Sequence, residues 1–169
     1  GGPIGMEMAQ AFVRLGANVT VIEMGKALGR SDRAHAEIAI EALRAEGVTL
    51  LEGYKATKVE QDGKTIRVHT EPKDGEAWTV EGSHLLVAVG RQTVFDGMDL
   101  DKGDVDHDRK GIIVGDNLRS ASNRRVWALG DAAGRKQFTH IAGWHASVFA
   151  RRAFFKQRTK ADSLPVPAV

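Results

Sequence analysis

Apolar positions follow a helical rhythm at the start of the chain. Met6, Ala9, Ala11, Phe12, Val13 and Leu15 give one broad apolar side over Met6 to Leu15, Pro3 suits the first helical turn, and Gly16 is a natural C-cap. Val19-Thr20-Val21-Ile22 then reads as a short buried strand ending at Glu23. Ser31 or Asp32 can cap a second helix running to about Glu46, with Ala34, Ile38, Ala42 and Leu43 on its buried side and Gly47 stopping it. Val48-Thr49-Leu50-Leu51 is the strand that follows. Helices and strands in this order predict an α/β fold, a Rossmann-like doubly wound parallel sheet.

From Tyr54 to Glu81 the rhythm changes to alternation punctuated by turns. Ala56–Glu60, Thr65–Thr70 and Ala77–Val80 are separated by Asp62-Gly63 and Lys73-Asp74-Gly75, which predicts an antiparallel β-meander. His84 to Val89 is almost wholly apolar and closes at Gly90, the pattern of a strand returning to the centre of the parallel sheet. This places a first domain at 1–91. A second segment, 92–160, carries an Asp/Gly-rich loop, strands at Ile112–Val114 and Arg125–Leu129, and a helix from about Ile141 to Gln157. Residues 161–169, with Leu164-Pro165-Val166-Pro167, read as an extended linker.

The chemistry begins in the first residues. Gly1-Gly2-Pro3-Ile4-Gly5 has the form of the tail of a dinucleotide-binding glycine loop, whose first glycine and leading strand are expected upstream. In that frame Gly2 is where backbone approaches a pyrophosphate, on a helix end whose amides and dipole favour negative charge. Gly5 is where the helix packs closely on the sheet. Glu23, at the tip of the next strand, is placed to accept hydrogen bonds from a ribose diol and to repel a 2′-phosphate. That favours NAD(H) over NADP(H), with Lys26 and Arg30 close enough to blur the choice. The plain alternative is a glycine-rich turn before an ordinary helix, with Glu23 a solvated strand end.

Composition narrows the remaining chemistry. The chain has 169 residues, of which 42% are hydrophobic, enough for one domain or two small ones. Its 24 basic and 22 acidic residues nearly balance, and the cationic stretch at Arg151, Arg152, Lys156, Arg158 and Lys160 lacks any groove-reading motif, so nucleic acid is not an expected partner. There is no cysteine, so no disulfide, thiolate nucleophile or Cys-ligated metal resides in these residues, and redox chemistry needs a bound cofactor. No apolar run approaches a membrane span and no signal peptide is visible, so the expected location is cytoplasmic, with no membrane partner.

Val126-Trp127-Ala128-Leu129-Gly130-Asp131 is an apolar strand that delivers an acid at its C-terminal edge, where open α/β sheets bind ligands. Such a carboxylate can accept hydrogen bonds from a polyol. Ser122, five intervening residues, Ala128, one more and Gly130-Asp131 resembles the second flavin-binding motif of the two-dinucleotide-fold flavoproteins, where Thr more often holds the first position. Gly1 to Glu7 resembles that group's NAD loop. Ala88-Val89-Gly90-Arg91 resembles the strand end leaving its NAD domain, and Phe138-Thr139-His140-Ile141-Ala142 the segment beside its flavin ring. The combination resembles the pyridine nucleotide-disulfide oxidoreductases, nearest in look to dihydrolipoamide dehydrogenases and mercuric reductase-like enzymes.

The resemblance implies an internal portion of an FAD- and NAD-dependent oxidoreductase, passing hydride from NADH to FAD and onward to a disulfide or metal-ion substrate. These residues would supply an NAD domain and a partial FAD-domain segment. The redox cysteine pair, the first FAD loop and a C-terminal domain through which the intact protein forms a homodimer would lie elsewhere. It implies that Glu7 sits beside the flavin, paired with a lysine of the first FAD segment, and that Pro3 replaces the aromatic gate of some relatives. Gly2, Pro3, Ile4, Gly5, Glu23 and Gly90 would serve NAD, while Gly130, Asp131, His140, Ile141 and Ala142 would serve FAD. Two rivals share part of the pattern: an NADH oxidase or ferredoxin reductase without the cysteine pair, and a stand-alone NAD-binding regulatory module. Metal is not expected, because His140 and His145 are poorly spaced for a shared ion. In the Asp104, Asp106, Asp108 loop, Arg109 stands where a calcium loop needs Gly. Ser147, His145 and Asp131 lack a nucleophile elbow.

Overall fold

The computed structural model describes residues 1–163. The chain divides into two compact units, Gly1–Gly90 and a second from Arg91 onward. Leu164-Pro165-Val166-Pro167 lies outside the described residues.

In the first unit, Pro3 opens α1 (Pro3–Arg14) with Gly2 at its N-cap, and Met6 and Ala9 are buried. β1 (Thr20–Glu23) and β2 (Thr49–Glu52) pair in parallel, Thr20 with Thr49 through Glu23 with Glu52. A parallel pair needs a crossover, and α2 (Arg33–Ala45) supplies it. The Asp32 carboxylate caps α2 by accepting the His35 N–H at 3.2 Å. At its other end Gly47 takes φ +104°, letting Gly47 N–H reach the Arg44 carbonyl and Val48 N–H the Leu43 carbonyl. The core joins Met6, Ala9, Ala27, Ile40, Leu43 and Val48. Outside it, the Glu46 carboxylate receives both Arg14 (2.6 and 2.7 Å) and Gln10 (2.7 Å), linking the ends of the two helices.

The buried sides of both helices differ from the expectation. α2 buries Ala36, Ile40 and Leu43, at i, i+4 and i+7, while Ile38 is 68% exposed and Ala34 and Ala42 face solvent. Residues two apart point to nearly opposite sides at 3.6 residues per turn, so burying Ile40 turns Ile38 outward. In α1 the buried row is Met6 and Ala9 with Val13 partly covered. Ala11 faces solvent, Phe12 is only partly covered at 38% exposed and Leu15, at the helix end, is 82% exposed.

β3 (Tyr54–Asp62), β4 (Thr65–Pro72) and β5 (Trp78–Gly82) form the antiparallel meander in that order. His84–Val89, expected as a central strand, is not one. The sheet formed by β1 and β2 has no third member among the described residues, so this segment has no ladder to join, and Leu86, Val87 and Val89 are exposed. Ala88 alone is partly covered, on the side of Gly5.

Among its described residues the second unit has no strand ladder. The strands expected at Ile112–Val114 and Arg125–Leu129 reduce to isolated bridges: Ile112 with His107, Val114 with Ser120, and Trp127 with Arg119. Short segments that cross at single points cannot build a register, so the unit is organised by side-chain packing around α3 (Thr139–Ala153). α3 ends four residues before the expected Gln157, and Lys156 takes φ +55° beyond it. Ile141, His145 and Val148 are its buried row, and Val148 joins Val105, Ile112, Leu118, Ala128, Ala133 and Ala161 in one core. Trp127 stands edge-on to Phe149 at 5.2 Å with the Arg119 guanidinium 5.0 Å from its ring centre. Ala161–Ser163 is a short turn rather than extended linker. Ala161 is buried, its N–H donates to the Asp116 carbonyl, and its carbonyl accepts from Trp144 Nε1, each at 2.8 Å.

Ile40→Ala is expected to lower unfolding stability by about 2–5 kcal/mol, whereas Ile38→Ala changes it by less than about 0.5 kcal/mol. Urea melts of the two variants followed by circular dichroism measure this, and equal losses would refute the assigned orientation of α2.

Candidate cofactor-binding elements

In the first unit, α1 starts with free amides. Gly2 is extended (φ −78°, ψ 174°) and offers no side-chain cap, and no acid stands in the first turn. The first intrahelical bond runs from Met6 N–H to the Gly2 carbonyl at 3.0 Å, so the N–H groups of Ile4 and Gly5 precede it. Pro3 and Ile4 are exposed, and a Cβ built on Gly2 would meet no atom within 4 Å. Backbone donors, a helix dipole and open space therefore coincide, as an anionic ligand requires.

Glu23 stands against this helix end. Its Oε2 lies 3.1 Å from the backbone nitrogen of Gly1 and its Oε1 accepts the Gly25 N–H at 2.8 Å. Partial burial alone would raise the Glu23 pKa. The Gly25 hydrogen bond acts against this and favours the charged form. Lys26 and Arg30 are exposed, and neither forms an ion pair with Glu23 among the described residues. Sequence reasoning missed Glu52, the register partner of Glu23. It accepts the Ala27 N–H at 2.8 Å and Arg44 at 3.3 Å, fixing the loop that follows β1. Its signal was available: a second acid at the same distance into the next strand. Glu7 is exposed on α1, and Gly90 is exposed at the end of this unit. Gly5 faces Ala88 loosely, since an added Cβ would lie at an ordinary 3.6 Å.

In the second unit, Gly130 begins a 3-10 turn over Gly130–Ala132. It is buried and takes φ +56°, and a Cβ there would come within 3.0 Å of Ala142 Cβ on α3. Only glycine meets both conditions without strain. Its N–H donates to Nδ1 of the buried His145 at 3.0 Å. The turn then presents Asp131, whose side chain is 45% exposed with Oδ2 3.6 Å from Arg91 Nη1. Arg91 also donates to the Gln137 carbonyl, so it links the turn to the segment before α3. Neither His145 nor Arg91 was singled out for this role. A histidine in the same helical row as Ile141 and Val148 was the available signal, because a buried imidazole needs a partner.

The start of α3 resembles that of α1. Phe138 gives no side-chain cap and no acid lies in the first turn. The N–H groups of Ile141 and Ala142 already reach the Phe138 carbonyl at 3.0 and 3.1 Å, which leaves those of Thr139 and His140 ahead of the first bond. Ile141 is buried, Ala142 partly so, and His140 exposed with its ring stacked on Phe138 at 5.3 Å. Ser122 is engaged elsewhere, accepting the Asp106 N–H at 2.8 Å.

The family model described as pyridine nucleotide-disulphide oxidoreductase matches residues 1–146. The chain belongs to this family. Mercuric reductase of Bacillus cereus is 32% identical over 99% of the chain and 27% of its own length. Dihydrolipoyl dehydrogenase of Haloferax volcanii is 33% identical over 99% of the chain and 36% of its own length. A Cu(II) complex of the HOCl-induced flavoprotein disulfide reductase RclA of Escherichia coli matches with a TM-score of 0.84 at 26% identity, over 95% of this chain and 36% of that one. The chain thus spans about a quarter to a third of the length of the curated relatives it matches.

Members of the family are oxidoreductases that use FAD and NAD(P)H. The residues present suit such groups. The bare start of α1 offers donors to a pyrophosphate, and half-exposed Asp131 offers a carboxylate to a polyol. Among the described residues, no helix is long and apolar enough to cross a membrane.

The Gly130 turn leads to a direct test. Gly130→Ala should destabilise by roughly 1–3 kcal/mol through its left-handed φ and the Ala142 contact, whereas Gly143→Ala, within α3 and facing open space, should be neutral or stabilising. Denaturant midpoints that move in the same direction for both would contradict this pair.

Proposed function

We propose that the chain is the NAD(H)-binding domain, residues 1–91, and the second FAD-binding segment, residues 92–160, of an FAD-dependent NADH:disulfide or metal-ion oxidoreductase. The observation that carries this reading is the Glu23 carboxylate, held by Gly25 N–H beside the uncapped start of α1. A pyrophosphate bound by the amides of Ile4 and Gly5 would bring the adjoining ribose toward that acid. A ribose diol can donate to Glu23, and a 2′-phosphate would be repelled by it, so the preference is for NADH.

FAD, when bound, supplies the hydride-accepting chemistry, and the contribution of these residues is binding and orientation. Asp131 accepts hydrogen bonds from the ribityl hydroxyls. The N–H of His140 at the open end of α3 donates to a ring carbonyl. Glu7 would be the helix acid that pairs with a lysine from another part of the polypeptide. In the intact enzyme, a homodimer, electrons pass on to a cysteine pair supplied by another part of the polypeptide.

The protein expressed from its complete reading frame should carry bound flavin that bleaches on addition of NADH. Glu23→Ala should lower the NADH/NADPH rate ratio by about tenfold, the loss of one charge-assisted hydrogen bond. Asp131→Ala should release flavin. A flavin-free protein would overturn the proposal, and bleaching without thiol-disulfide or metal-ion reduction would leave only the NADH-to-flavin half.

A further inference from the structure

His145 is a buried titratable side chain to which the proposed reaction gives no role. It is 1% exposed, on the row of α3 that also buries Ile141 and Val148. Its Nδ1 accepts the N–H of Gly130, so the ring is neutral with its proton on Nε2. Gly130 immediately precedes Asp131, and its left-handed backbone against Ala142 leaves the turn little room to adjust. The bond ties the backbone of the turn to a rigid helix.

We infer that His145 is a positioning residue for flavin. Its neutral imidazole anchors the Gly130 N–H and thereby fixes the angle at which Asp131 is presented, so flavin is held tightly only while His145 is unprotonated. This rests on the proposed flavin role of Asp131. Protonation would place a hydrogen on Nδ1 facing the Gly130 N–H, two donors in a site closed to water, and the turn would lose its anchor.

Two charges act on the ring from the elements packed on α3, Arg135 just beyond the Gly130–Ala132 turn and Asp162 in the Ala161–Ser163 turn, while Asp131 of the Gly130–Ala132 turn is half exposed beside Arg91. Arg135 is ion-paired with Asp162 and lies 3.5 Å from Asp116. Burial first, and then Arg135, push the His145 pKa below its ordinary value, with Asp162 acting weakly the other way. The neutral ring therefore prevails at neutral pH, and the anchor fails as pH falls through that lowered value.

The test uses the flavin-loaded protein from the complete reading frame, titrated downward from about pH 8 to about pH 4.5, below the ordinary imidazole pKa. Flavin retained per chain after ultrafiltration is the readout. Wild type should release flavin on acidification. His145→Leu should bind it about tenfold more weakly at every pH, as expected for one lost buried hydrogen bond. His145→Asn, whose amide oxygen can occupy the Nδ1 position, should stay within about twofold of wild type at high pH and lose the acid transition. Imidazole 15N spectra of the wild type should show an unprotonated Nδ1.

Asn behaving like Leu, a wild-type profile matching Leu, or a proton on Nδ1 at neutral pH would each overturn the inference. If His145→Leu fails to fold, the contrast between wild type and His145→Asn carries the test. A wild type that binds flavin through Asp131 while His145 variants bind equally well sinks this inference alone. A wild type without flavin sinks the functional reading as well.

Discussion

Parallel pairing of β1 with β2 forces the chain to leave the end of one strand and return to the beginning of the next. This requirement gathers the start of α1, the end of β1 and the end of β2 at one edge. The two strand-end acids, Glu23 and Glu52, are aligned there by register. Each accepts one backbone N–H of the loop after β1, from Gly25 for Glu23 and from Ala27 for Glu52, which leaves the second oxygen of Glu23 outside that loop. The edge is therefore shaped by carboxylates that order a loop, while the helix beside them keeps its own donors free. Anion binding and diol recognition are separate demands, and the same crossover provides for both.

The second unit answers a different problem. With no ladder to organise it, its order comes from one helix and the points where loops touch that helix. Gly130 leans on Ala142 and bonds to His145, while Trp144 reaches the Ala161 carbonyl. Such an arrangement lets a loop carry a ligand-facing carboxylate with little freedom, because neighbouring contacts restrain it from several directions. Arg91 adds a tie outside the core, joining Asp131 to the segment before α3.

Where the sequence was legible, the chemistry was local. Pro3, Asp32, Gly16 and Gly47 act through their own dihedral preferences or a bond within a few residues, and the helix ends fall beside them. The meander was legible because its turns announce themselves. Helix orientation was less so: in α2 the row Ala34, Ile38, Ala42 is apolar throughout, as is the row Ala36, Ile40, Leu43, and the neighbouring elements decide which is buried. The segment His84–Val89 has the composition of a strand, but a strand is defined by a partner, and composition does not supply one. The bond from Gly130 to His145 spans fifteen residues and depends on how α3 is seated, so no motif encodes it.

The same His84–Val89 segment bears on how these residues behave in solution. Leu85, Leu86, Val87 and Val89 are exposed on backbone that no strand pairs, in a β-favouring run without charged side chains. Unsatisfied amides beside exposed apolar side chains recruit other copies of themselves, which is the chemistry of intermolecular β-aggregation. Among the described residues, the tendency to self-associate is thus concentrated in this one segment and depends on how completely it is covered.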